Sequence, residues 1–131
     1  MKVEDVMISV GNFPIVAKKT ILKEALTEMG EANLGLVCIV NESKELLGLI
    51  TDGDIRRKLL KVQKPFSAFF VDDALIHAKP DPITCFPSDN LKEVVNLMGE
   101  KQIWDLPVVN KDNKLVGLLH LHPAVKRILT E

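Results

Sequence analysis

Tyrosine is absent from this 131-residue chain, tryptophan occurs once and cysteine twice. With so few flat rings there is no stacking platform for single-stranded nucleic acid. The formal net charge is -1, from 17 Lys and Arg against 18 Asp and Glu, so no basic field exists to hold a polyanion by bulk electrostatics. Nucleic acid is therefore not an expected partner. No apolar run approaches the roughly 20 residues of a membrane span, and the opening "MKVEDVMISVGNF" carries acidic residues where a signal peptide is basic and then apolar. These absences lead us to expect a cytoplasmic chain with no membrane partner. Cys38 and Cys85 stand in separate apolar stretches without metal-type spacing, so each reads as a reduced, packed thiol.

What is present is a globular balance, 47% hydrophobic and 27% charged, in a chain long enough for a real core. It is also a repeat. Val3–Met7 ("VEDVM") aligns with Val71–Leu75 ("VDDAL"), and Pro14-Ile15-Val16 with Pro82-Ile83-Thr84. Leu22-Lys23-Glu24 then matches Leu91-Lys92-Glu93, and Met29-Gly30-Glu31 matches Met98-Gly99-Glu100, after a one-residue insertion in the second copy. The boundaries read as repeat 1 at 1–62, a linker at 63–70 and repeat 2 at 71–131.

Within each copy Leu22, Ala25, Leu26 and Met29, or Leu91, Val94, Val95 and Met98, recur at helical spacing, with Thr20 and Asp89 placed as N-caps. Two apolar runs follow, joined by "NESKE" or "NKDNK", which predicts a hairpin of buried strands. A second helix is expected from Ile55 to about Leu60, and from Pro123 to about Thr130, Pro suiting the first helical position. Short extended pieces around Ile15 and Ile83 complete a β-α-β-β-α unit, given twice, hence an α/β (α+β) fold. Neither unit alone has a comfortable apolar area, so the two are expected to pack sheet to sheet about a pseudo-twofold axis. Phe66, Phe69 and Phe70 of the linker are expected to pack.

The repeat ends diverge: "LLGLITDGDIRRKLL" (Leu46–Leu60) against "LVGLLHLHPAVKRIL" (Leu115–Leu129). From Val3 to Thr130 the chain resembles a pair of CBS domains, regulatory modules that bind adenosine-containing ligands between two repeats. More narrowly, the same two stretches are similar to the CBS pair at the C-terminus of sugar-phosphate isomerases of the arabinose-5-phosphate type. CBS pairs attached to sugar nucleotidyltransferases are the other relatives.

The family motif Gly-x-x-Thr/Ser-x-x-Asp/Asn falls here on Gly48, Thr51 and Asp54. Gly48 would let strand and ligand approach. Thr51 would donate its hydroxyl to a phosphate, and Asp54 would accept from ribose hydroxyls. Arg56 and Arg57 add positive charge beside the helix N–H groups. The bland reading of these residues is an N-cap, a turn and a solvated face. In the second copy the equivalents are Gly117, His120 and Pro123, and Pro cannot accept a ribose hydroxyl, so one competent site is expected rather than two. The resemblance further implies that the base contacts the other repeat, at Ile83, Thr84, Ile103 and Trp104.

His120 and His122, spaced i and i+2, would share one face of a strand. They form a candidate second site, for a metal with a third ligand or for an anionic sugar phosphate, while His122 also reads as a plain N-cap. His77 belongs to a loop. The leading expectation is a regulatory module binding AMP, ATP or a nucleotide-sugar and controlling a sugar-phosphate isomerase domain in the same or another chain. The alternative is a scaffold that dimerises and binds nothing small. A homodimer is expected either way. No catalytic residue, cofactor or metal site is expected, because nothing reads as an activated nucleophile, a phosphate-cradling loop or a Cys–His pair. The chain is either a fragment of a longer polypeptide or a free-standing sensor.

Overall fold

The spacing of Leu22, Ala25, Leu26 and Met29 becomes helix α1 (Leu22–Ala32), with Leu22, Ala25 and Met29 buried. The computed structural model describes residues 1–61, 63 and 65–130. Val62, Lys64 and Glu131, at the end of the first repeat, in the linker and at the chain end, lie outside the described residues. The chain folds as two units, Phe13–Pro82 (the first unit) and Met1–Asn12 with Ile83–Glu131 (the second unit). Each unit takes in residues from both sides of the repeat boundary read along the sequence.

The first unit holds β2 (Ile15–Ala17), β3 (Leu36–Val40), β4 (Leu46–Thr51) and β5 (Lys79–Pro80) in one sheet, in that order. The second holds β1 (Ile8–Ser9), β7 (Leu115–His120) and β6 (Asp105–Val109), with β7 central. In both units the expected hairpin forms, β3 against β4 and β6 against β7, antiparallel. Asn41 and Asn110 organise the two polar connections: each side-chain oxygen accepts from the backbone N–H four residues on, at Glu45 and Lys114. Helix α1 covers the first sheet, and α4 (Leu91–Lys101) belongs to the second unit, with Leu91, Val94 and Met98 buried. The remaining helices are α2 (Asp52–Lys61), α3 (Phe66–Phe70) and α5 (Leu121–Leu129).

Five sequence expectations are corrected. The caps are Ile21, which makes no side-chain bond, and Asn90, whose Oδ1 accepts from Glu93 N–H at 3.1 Å. Asp89 instead accepts from Phe86 N–H, and the carbonyl of Thr20 accepts from Ala74 N–H. Helices α2 and α5 start earlier than expected, at Asp52 and Leu121. Pro123 still lies in the first turn, where a missing N–H costs nothing.

The extended piece near Ile83 shrinks to a single parallel bridge, Cys85 with Val108. Its counterpart β2 gains a bond from Cys38 N–H to the Pro14 carbonyl, and the residue in Cys38's place is Pro107, which has no N–H to donate. Of the linker phenylalanines, Phe69 is fully buried and Phe70 half-buried, but Phe66 stays 58% exposed. The last correction concerns register. Val3 N–H donates to the Asp89 carbonyl, and Ala74 N–H to the equivalent Thr20 carbonyl, so Val3 corresponds to Ala74 rather than Val71. Both are fully buried, and burial, not the matching letters, sets the register.

Each unit has its own core. Val37, Ile39, Ile50, Ile55 and Phe69 sit in the first, and Val3, Leu106, Val108, Leu119 and Ala124 in the second. Cys38 and Cys85 are both buried, packed as expected, and burial pushes the Cys85 thiol up to about 12.

Candidate functional site

Thr51 is the last residue of β4, and α2 begins immediately after it. Its Oγ1 accepts from Asp54 N–H at 3.2 Å, satisfying a donor that the first helical turn leaves open. Asp54 sits inside that turn, not ahead of it, and its Oδ1 accepts from Arg57 Nη2 at 2.8 Å. The guanidinium folds back over Gly53, where a Cβ would lie 3.2 Å from either terminal nitrogen. Burial by itself would raise the Asp54 carboxyl, but the bond from Arg57, the Thr51 side chain and the charge of Lys79 hold it below its ordinary value. It is an ionised acceptor at neutral pH.

Gly48 serves the fold where sequence reading reserved its space for a ligand. A Cβ there would lie 2.9 Å from the Ala78 Cβ and 3.3 Å from the Lys79 carbonyl. Gly117 does the same in the second unit, against Met7 and the Ile8 carbonyl. Both glycines let an antiparallel edge strand, β5 or β1, lie close.

In the first unit a pocket of about 540 Å³ opens beside Asp54, lined also by Arg57, Lys58, Lys61, His77 and Lys79. Asp54, Arg57, Lys58 and Lys61 recur at i, i+3, i+4 and i+7, so one face of α2 points its charges the same way. That spacing is present in the sequence, whereas Arg56, expected to add positive charge to the site, is exposed and not part of this lining. Lys79 arrives on β5, brought alongside β4 by pairing of Leu49 with Lys79.

His77, set aside as a loop residue, is buried. Its Nε2 lies 2.9 Å from Asp72 Oδ2, and its ring centroid is 4.5 Å from that of Phe69. No sequence period marks it, because the 3-10 turn Ala74–His77 that places it is too short to show one.

The base-contacting candidates and the histidine pair fall in the second unit. Ile83 is 43% exposed, Thr84 half-buried, and Ile103 packs on the core. Trp104 is 70% exposed, with its carbonyl accepting from Leu121 N–H at 2.9 Å. His120 closes β7 as Thr51 closes β4, and its Nδ1 lies 2.6 Å from Asp105 Oδ1. Burial raises the Asp105 carboxyl, and His120 pulls it back only in part. His122 is in α5 and exposed, so the two histidines do not share a strand face, and the N-cap position belongs to His120. Among the described residues no group of three or more His, Cys, Asp and Glu could hold a metal ion, and no helix is long and apolar enough to cross a membrane.

The CBS domain family model matches residues 3–61 and 71–122. An uncharacterized protein of Helicobacter pylori is 36% identical over 127 residues, covering 96% of this chain and 37% of that protein. A Pseudomonas aeruginosa protein named arabinose 5-phosphate isomerase KdsD is 32% identical over 126 residues, again 96% of this chain and 37% of its own length. The chain therefore spans little more than a third of these relatives. Among solved structures, CBSX2 in complex with AMP, a CBS-pair protein of Arabidopsis thaliana, is 26% identical with a TM-score of 0.86, covering 98% of this chain and 96% of that one. A CBS domain-containing protein from Bacillus anthracis shares the fold at 19% identity, with a TM-score of 0.86 over 100% of this chain and 94% of that one.

Proposed function

We propose that this chain, which belongs to the CBS domain family, is a regulatory module that senses a nucleotide through the pocket beside Asp54. The observation that carries the reading is the combination of an ionised ribose acceptor, Asp54, with Arg57, Lys58, Lys61 and Lys79 around one pocket of about 540 Å³. Asp54 is the partner for vicinal ribose hydroxyls, and the cations are the partners for phosphate oxygens. The AMP complex of the related CBSX2 supports an adenine nucleotide as ligand, AMP or ATP, with a nucleotide-sugar as the other member of the class. Thr51 adds a hydroxyl beside Asp54, at the start of α2, as a further partner for a phosphate oxygen. Ile83, Thr84, Ile103 and Trp104 remain our proposed base contacts.

A sensor works only if its ligand binds one arrangement better than another, so a partner must read the difference. Relatives named arabinose 5-phosphate isomerase suggest a sugar-phosphate isomerase domain, in the same or another chain, in the cytoplasm. A second reading, a dimerising scaffold, draws on exposed apolar residues of the first unit, Leu60 and Phe66 among them.

A thermal-shift panel of AMP, ATP, cytidine nucleotides and sugar nucleotides separates the two readings. A true ligand at about 100 times its Kd stabilises by roughly 2.7 kcal/mol, a rise in Tm on the order of 10 °C. Asp54→Ala is expected to abolish the shift in a protein that still folds. If no compound shifts the wild type, the sensor reading fails; a shift that survives Asp54→Ala places the site elsewhere, with His120 and His122 next to examine.

A further inference from the structure

His77 makes only half of the contacts an imidazole can make. Its Nε2 is held by Asp72 Oδ2 at 2.9 Å, while Nδ1 is buried and, among the described residues, has no hydrogen-bond partner. Buried polar atoms without partners are rare, and one in a pocket wall points to a contact or charge that a ligand completes. The ring is 9% exposed, packs on Phe69, and lines the same pocket as Asp54, Arg57, Lys58, Lys61 and Lys79.

We propose that His77 is a proton-linked member of this pocket: an anionic ligand that enters it takes up one proton from solvent onto the His77 ring. This rests on the reading that the pocket holds nucleotide phosphates.

The charges around the ring decide the direction. From α2 come Arg57, Lys58 and Lys61 with one carboxylate, Asp54, and from β5 comes Lys79. Asp72, ahead of the 3-10 turn, pairs with Nε2, and Asp73 beside it is exposed. Helix α1 meets this turn across a core of Leu22, Ala25 and Met29, and α3 contributes Phe69, so neither adds a charge through these groups.

Four cations thus share the wall with one carboxylate, Asp54, while Asp72 pairs with the ring itself. An anion carrying two or more charges, entering this wall, favours a positive charge on the ring. With Asp72 fixing the hydrogen on Nε2, the added proton goes to Nδ1, the atom that otherwise lacks a partner. Histidine is the side chain for which such a change is accessible between about pH 5 and 8. By linkage, if the ligand favours the protonated ring, acid favours the ligand. The pocket would then bind phosphates more tightly as pH falls, opposite to the trend set by protonation of the phosphate itself, whose second pKa is about 6.

The test is calorimetric titration of the chain with ATP at pH 7.5, in buffers of low and high ionisation enthalpy, for the wild type and His77→Asn. The wild type is expected to take up several tenths of a proton more than the variant. Its Kd should tighten between pH 8 and pH 6.5 by about three- to tenfold relative to His77→Asn. Comparing the two proteins cancels the titration of ATP. Should His77→Asn fail to fold, imidazole carbon and nitrogen shifts of the wild type, followed through pH with and without ATP, read the same event directly. Absence of ATP binding at every pH overturns both this inference and the nucleotide reading. Equal proton uptake by wild type and variant, or a His77 titration unmoved by bound ATP, overturns this inference alone.

Discussion

Thr51 and His120 close equivalent strands, yet the residues paired with them across the hairpin differ: Leu36 faces Thr51, and Asp105 faces His120. The substitution is a matched pair. In the first unit a hydroxyl at the strand end needs no buried partner, so its oxygen turns to Asp54 N–H and an apolar Leu36 fills the space behind. In the second unit an imidazole takes that position and an acidic partner appears 2.6 Å away, leaving the side chain tied to its own hairpin. One unit therefore turns its strand end to the helix that follows, and the other spends the same position on an internal hydrogen bond. The difference between the two copies is a change of partner as much as a change of letter.

The largest effect that sharpens this comparison lies in the cores. Phe69→Ala removes a fully buried ring from the first unit, while Phe66→Ala removes one that is 58% exposed. Chemical denaturation should show a loss of about 3–5 kcal/mol for the first and little for the second.

Next comes the hydrogen bond between His120 and Asp105. His120→Thr installs the side chain found at Thr51 but leaves Asp105, only 10% exposed, without its partner. A loss of about 1–3 kcal/mol is expected. Adding Asp105→Leu, which restores the combination seen at Leu36 and Thr51, should recover most of it. If the double variant is no more stable than His120→Thr, the matched-pair account is wrong.

The glycines give a comparable but more local contrast. Gly48→Ala sets a Cβ 2.9 Å from the Cβ of Ala78, which cannot move without its backbone, and should cost about 1–3 kcal/mol. Gly117→Ala meets first the Met7 Sδ at 2.6 Å, part of a flexible side chain, though the Ile8 carbonyl at 3.1 Å limits the room. Its cost should be the smaller of the two.

The smallest effect is a pair of opposite pH slopes. Asp54 has a folded pKa below the ordinary 3.8, so its contribution is present above that value and is lost as pH falls through the lowered one. Asp105 has a folded pKa above 3.8, so between the two values the folded state binds the extra proton and stability rises as pH falls. Stability curves from pH 3 to 7 should change in opposite directions for Asp54→Asn and Asp105→Asn, each by about 1 kcal/mol or less. Slopes of the same sign would contradict the assigned environments.

Much of this was readable from the chain. Helical spacing marked α1 and α4, the paired asparagine-containing connections marked both hairpins, and the whole-chain repeat pointed to the family. Asp54 and Thr51 emerged from a motif, and both are where α2 begins. Arg57 was legible and outranked by Arg56, since a helical face is visible only when four positions are compared. Lys79 and His77 were not legible: a two-residue strand and a single 3-10 turn are too short to carry a period.

The sequence by itself determined the repeat, the elements within it and the loss of the Thr and Asp pair from the second copy, because periodicity and residue type are properties of the chain alone. Only the tertiary structure decided which segment lies beside which strand. It placed Met7 and Ile8 against Gly117, Ala78 and Lys79 against Gly48, and a buried histidine in the wall of a basic pocket. Those choices depend on packing between residues far apart in sequence, where burial and shape outweigh any local pattern of letters.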